Sequence, residues 1–171
     1  TTQFISGEFL AGSKTAVITG EPGSNLRLHY GTVKAGATGG MSLSCVSTDY
    51  LQPVDVTNSV ATTSGDVIVE SGLMRFSRDS VWTNVAHVVV RADVEPKGRL
   101  QLDSAKTFGR DVVVRLDAGA VLDLPHGGLM KCAELWIGGV KQEDGVYDAA
   151  SLPGVITGVR LALGMGWMTV V

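Results

Sequence analysis

Acidic side chains are the first candidates for chemistry in this chain. Asp66, Asp79, Asp93, Asp103, Asp111, Asp117 and Asp123 are spread along the middle of it. General acid/base work on a glycan, or calcium binding, needs carboxylates that converge on one point. Spacing by one coil stacks some of them, as with Asp66, Asp111 and Glu134, with His87 between, and such a column reads as a solvated ladder rather than an active site. His29, His87 and His126 have neither metal-ligand spacing nor a paired nucleophile, and no phosphate-loop or Gly-x-Ser-x-Gly pattern occurs. Glu143-Asp144 reads as an acidic turn rather than a calcium site. Cys45 and Cys132 stand outside any CxxC or Cys/His cluster, which argues against zinc and for two free thiols. No catalytic residue, metal site or cofactor is therefore expected.

Surface recognition is the remaining chemistry. A sugar ring stacks its CH groups on an aromatic face, and its hydroxyls need groups that donate and accept. Aromatic residues are only 6% of the chain, so each one counts. Trp82 follows Val81 after a strand and is either displayed or a corner anchor. Tyr50 opens a stretch, Asp49 to Ser59, that reads as a protruding loop. Trp136 alternates with Leu135 and Ile137, so it faces outward, against Tyr147. Trp167 reads as part of an end cap, and Tyr30 as partly buried.

These side chains must be positioned by strands. Gly, Pro, Asn, Asp and Ser interrupt the chain every few residues, and Val, Leu, Ile and Thr fill the gaps, which predicts many short strands and no helix. The strands repeat. Val67, Val88, Val112 and Leu135, in "DVIVE", "HVVVR", "DVVVR" and "ELWIG", follow each other at steps of 21, 24 and 23 residues. Met74, Leu100 and Leu122, in "GLMRF", "GRLQL" and "AVLDL", follow at steps of 26 and 22. Gly72, Gly98 and Gly119 lie between the two sets. A helix-free period of this size predicts a solenoid, in which coils stacked about 4.8 Å apart share one apolar column. The expectation is a single all-β domain over residues 1–171, a right-handed parallel β-helix of six or seven coils. "FISGEFLAG" and "MGWMTVV" are the candidate end caps.

That arrangement defines a polar row. With Met74/Phe76, Leu100/Leu102 and Leu122/Leu124 pointing inward, Arg75, Gln101 and Asp123 point outward and stack. Such a row is either a hydroxyl-binding track beside Trp82 or a self-neutralising ladder.

From Gly65 onward the sequence resembles the C-terminal β-helical segments of large bacterial secreted proteins, including autotransporter-type passengers. The stretches "SGLMRFSRDSVWTNVAHVVV", "KTFGRDVVVRLDAGAVLDLP" and "LWIGGVKQEDGVYDAASLPGVITGVRLAL" carry this likeness. By size and fold the chain is also similar to β-helical carbohydrate-binding modules attached to xylan-degrading enzymes of gut bacteria. The resemblance implies a non-catalytic, secreted or cell-surface module, excised from a larger protein. It would bind a xylan-type plant polysaccharide for an appended catalytic domain. The alternatives are a structural or adhesive passenger segment and a remnant lyase or hydrolase. A net charge of −3 gives no reason to expect nucleic acid, and no apolar run is long enough to span a bilayer.

Overall fold

A computed structural model describes residues 2–5, 16–20, 22, 25–28, 31–33, 35–57 and 60–163. Strands are numbered in chain order. Among the described residues there is no helix, hence none able to cross a membrane. Parallel strands stack as a β-solenoid.

The first ladder runs β1 (Thr2–Ile5), β3 (Asn25–Leu28), β6 (Ser42–Val46), β8 (Val67–Ser71), β10 (His87–Val90), β12 (Val113–Leu116) and β14 (Glu134–Ile137), with β15 (Val140–Lys141) at its edge. The second runs β4 (Gly31–Val33), β7 (Val54–Val56), β9 (Leu73–Phe76), β11 (Arg99–Leu102), β13 (Val121–Cys132) and β17 (Ile156–Leu163), ending on β16 (Gly145–Tyr147). β2 (Ala16–Gly20) and β5 (Ala35–Gly39) form a separate parallel pair. Up to β14 and β17 all pairing between coils is parallel.

Strand alternation gives each coil one inward face, and stacking makes those faces a continuous core. Val67, Val88 and Val114 with Leu135 fill it from the first ladder, and Val54, Met74, Leu100, Leu122 and Ile156 from the second. Of the inward set expected from sequence, Val88, Val90, Leu100, Leu102, Val112, Val114, Leu122, Leu124 and Leu135 are buried, and Ile137 is partly buried. The second-ladder register is the expected one: Leu100 pairs with Met74 and with Leu122. The first ladder differs. Val88 pairs with Val114, not Val112, so "DVVVR" sits two residues away from the expected alignment. A two-residue slide keeps side-chain parity, so the same faces still point inward.

A third line of parallel pairing was not expected. Val60 bridges Val81, Trp82 bridges Phe108, and Leu129–Cys132 of β13 pair with Arg160–Leu163 of β17. Each short piece follows a second-ladder strand. Here Val81 faces out and Trp82 faces in at 2% exposure, its ring edge-on to Phe76 with centroids 5.5 Å apart. The display of Trp82 beside a glycan is therefore corrected: its indole belongs to the core, because alternation on this third line turns it inward.

The stretch from Asp49 to Ser59 is also not one protruding loop. It contains β7, with Val54 and Val56 in the core, and among its described residues the turn at 48–52 is the part that projects. His29, Tyr30, Trp167 and most of the two expected end segments lie outside the described residues, as does the side chain of His126.

Candidate functional site

The outward row of the second ladder assembles as its inward register requires. Gln101 pairs with Arg75 on one side and Asp123 on the other. Asp55 of β7 pairs with Arg75, and Thr157 of β17 with Asp123, so the row reads Asp55–Arg75–Gln101–Asp123–Thr157.

Hydrogen bonds fix these side chains. Arg75 donates from Nε to Asp55 Oδ1 at 2.6 Å and from Nη2 to Asp55 Oδ2 at 3.0 Å, a bidentate pair. The bond to Asp55 raises the guanidinium pKa further. Asp123 accepts from Arg99 Nη2 at 3.2 Å and from Thr157 Oγ1 at 2.8 Å. Gln101 Nε2 donates to Asp103 Oδ1 at 2.9 Å. The arginine side chains remain 41% exposed at both Arg75 and Arg99. Asp55 takes two of the five N–H groups of Arg75, leaving three pointing elsewhere. The row is thus held in fixed geometry, with donors and acceptors alternating along it.

Tyr50 reaches the connection that leads into this sheet. Its turn is tied down by Ser47, whose Oγ donates to the carbonyls of Asp49 and Gln52, and by the Leu51 amide on Asp49 Oδ1. The Tyr50 hydroxyl donates to the Lys97 carbonyl at 2.6 Å, two residues before Arg99. The ring is 43% exposed, and Leu51 beside it is 87% exposed. Tyr50 therefore lies at the entry to β11, whose outward residues are Arg99 and Gln101. Structure joins Tyr50, Arg75, Gln101 and Asp123 around one sheet and removes Trp82 from it.

The acid column forms only in part. His87 Nδ1 lies 2.9 Å from Asp66 Oδ1. Val113 then occupies the next position, between His87 and Glu134, and Asp111 is exposed in the turn before β12. Glu134 accepts from Trp136 Nε1 at 2.8 Å and from Lys141 Nζ at 3.1 Å, and these bonds, the indole's first, hold its carboxyl below the usual range. Arg115 sits over the Trp136 ring, 4.7 Å from its centroid. Trp136 does face outward, but its ring is engaged by Arg115 and Glu134, while the Tyr147 hydroxyl bonds the Glu143 carbonyl. Among the described residues no group of three or more His, Cys, Asp or Glu is arranged to hold a metal ion.

Both cysteines are free and buried. Burial pushes each thiol up to about 12, so neither forms thiolate near neutral pH. In native protein at pH 8 neither thiol is expected to react with a maleimide, whereas both react after unfolding in guanidinium. Fast labelling of one thiol in native protein would contradict its place in the core.

Sequence reasoning missed Asp55, Arg99 and Thr157 as members of the site. Asp55 was legible from the Val-Asp-Val alternation. Arg99 bonds diagonally across strands, which no linear pattern records. Comparison with protein-family models, with curated proteins and with solved structures gives no match.

Proposed function

We propose that this chain is a non-catalytic carbohydrate-binding module of an extracellular protein. It takes a plant cell-wall polysaccharide of the xylan type on the outer face of the second ladder. The observation that carries this reading is the in-register row Asp55–Arg75–Gln101–Asp123–Thr157, with Tyr50 held beside it. Coils spaced by about 4.8 Å give such a row the length of a few sugar units. Side chains already fixed by ion pairs lose little entropy on binding. Tyr50 supplies an aromatic surface next to the track. An open track buries less of its ligand than a cleft does, so the affinity is weak. In the parent protein the module would tether an appended catalytic domain to its substrate. We also propose right-handed coiling, the strong preference of parallel crossovers, with six or seven coils.

A structural or adhesive segment is the second reading. The mutual neutralisation of Arg75 with Asp55, and of Arg99 with Asp123, favours it. Affinity electrophoresis in xylan gels separates the two. Tyr50→Ala and Gln101→Ala are each expected to weaken retention about 2- to 10-fold, from a stacking or hydrogen-bond contribution of about 0.5–1.5 kcal/mol. Unretarded migration of the unmodified chain across xylan and a panel of other soluble polysaccharides would leave the structural reading standing.

A further inference from the structure

At one end of the stack the first ladder and the third line abandon parallel pairing. The first turns back at Gly138-Gly139, with φ of 55° and 81°, and β15 runs antiparallel to β14, pairing Lys141 with Trp136 and Val140 with Ile137. Two successive residues with positive φ are what a tight two-residue hairpin of the correct twist requires. The third line ends the same way, with β16 antiparallel to the last residues of β17 and Gly145, Val146 and Tyr147 opposite Leu163, Ala162 and Leu161. The connecting segment is tied down locally. The Gln142 amide donates to the Leu135 carbonyl, Asp148 Oδ1 accepts from the amides of Ala150 and Ser151, and the Leu152 amide donates to the Asp148 carbonyl. Tyr147, Leu152 and Val155 pack on the end of the core.

This segment occupies the positions that another coil would fill. A solenoid coil leaves strand edges and apolar side chains open along its stacking direction. β15 blunts the first of those edges by being two residues long and by carrying Lys141, which is bonded to Glu134. We infer that residues 138–155 are a stop that prevents self-association through β14 and β17, and that the partner they exclude is a second copy of this chain. The occupant follows from strand direction. Both β14 and β17 already accept antiparallel partners. Two copies related by a two-fold axis bring identical strands together antiparallel, so β14 of one molecule fits where β15 lies in the other.

The test opens the stop without replacing any fully buried residue. Gly138→Val with Gly139→Val removes the hairpin turn: neither position can hold a β-branched residue at positive φ, and an added Cβ meets only Ala118 at ordinary contact distance. A second variant, Tyr147→Ser with Leu152→Ser, loosens the segment from the opposite side. Mass is read by light scattering over a tenfold range of concentration, and hydrogen exchange over β15, residues 140–141, reports opening. Fast exchange with a mass that rises toward twice that of the unmodified chain is expected for both variants. An unchanged mass despite fast exchange overturns the inference. Loss of the strand signal in both variants overturns it as well, because the segment would then be required for folding and would not be a stop.

Discussion

Replacing Trp82 with Ala is expected to cost about 3–5 kcal/mol of stability, the range for removing a large aromatic from a packed interior. The indole is fully enclosed, edge-on to Phe76, which in turn meets Phe108 at 5.2 Å between centroids. Such aromatic contacts add about 0.5–1.5 kcal/mol each beyond area burial. Neighbours on the third line cannot collapse into the space. Ala61, at the equivalent inward position one coil earlier, is too small, and Phe108 on the other side is held by the bridge between the two coils. Val81 is the internal control. It precedes Trp82 on the same line, bridges Val60 and faces outward, so Val81→Ala is expected to change stability by under about 1 kcal/mol. Denaturant midpoints of the two variants decide the matter: similar losses would mean that the third line does not direct Trp82 inward. Lost xylan retention in the Trp82 variant would then be traced to unfolding, and only Tyr50 and Gln101 report on the surface.

The second ladder was legible because Leu-x-Leu with a polar residue between fixes both register and face. Leu100 and Leu102 align with Met74 and Phe76 in only one sensible way, and the outward row Arg75, Gln101, Asp123 follows from that alignment. The first ladder carries runs of Val-Val-Val. Such runs can slide by two residues without exposing an apolar side chain, so Val112 and Val114 competed for one position. The third line contributes only a residue or two per coil at Val60, Trp82 and Phe108, too short for alternation to show. A trace was nonetheless there: "NSVATT" and "DSVWTN" repeat Ser-Val-x-Thr 21 residues apart, the same step that separates Val67 from Val88. Taking Asp49 to Ser59 as a loop hid Asp55, and with it the carboxylate that fixes Arg75.

Gly72→Ala is expected to be the second costly change, for two separable reasons. Gly72 has φ of 72°, where an L-residue loses about 1–2 kcal/mol. An added Cβ would also collide with the Cβ and carbonyl oxygen of Ser47, which is fully buried in the coil before. Relief by local shift is costly, because Gly72 is bonded on both sides: its amide donates to the Pro96 carbonyl at 2.8 Å and its carbonyl accepts from the Arg99 amide at 2.8 Å. Ser47 is equally constrained, since its amide donates to the Ser71 carbonyl and its carbonyl accepts from Ser71 Oγ. Forcing a methyl into such a site adds about 1–3 kcal/mol. Gly154 separates the two contributions: its φ is 74°, but nothing lies within 4 Å of an added Cβ. Gly154→Ala should therefore show the backbone cost alone, and Gly72→Ala should exceed it by about 1–3 kcal/mol. Equal losses in the two would rule out the Ser47 contact as the reason for glycine at this corner. The strain should also reach the proposed site, because Ser47 Oγ holds the turn that carries Tyr50. At temperatures where Gly72→Ala remains folded, its xylan retention should fall toward that of Tyr50→Ala, while Gly154→Ala retains the value of the unmodified chain.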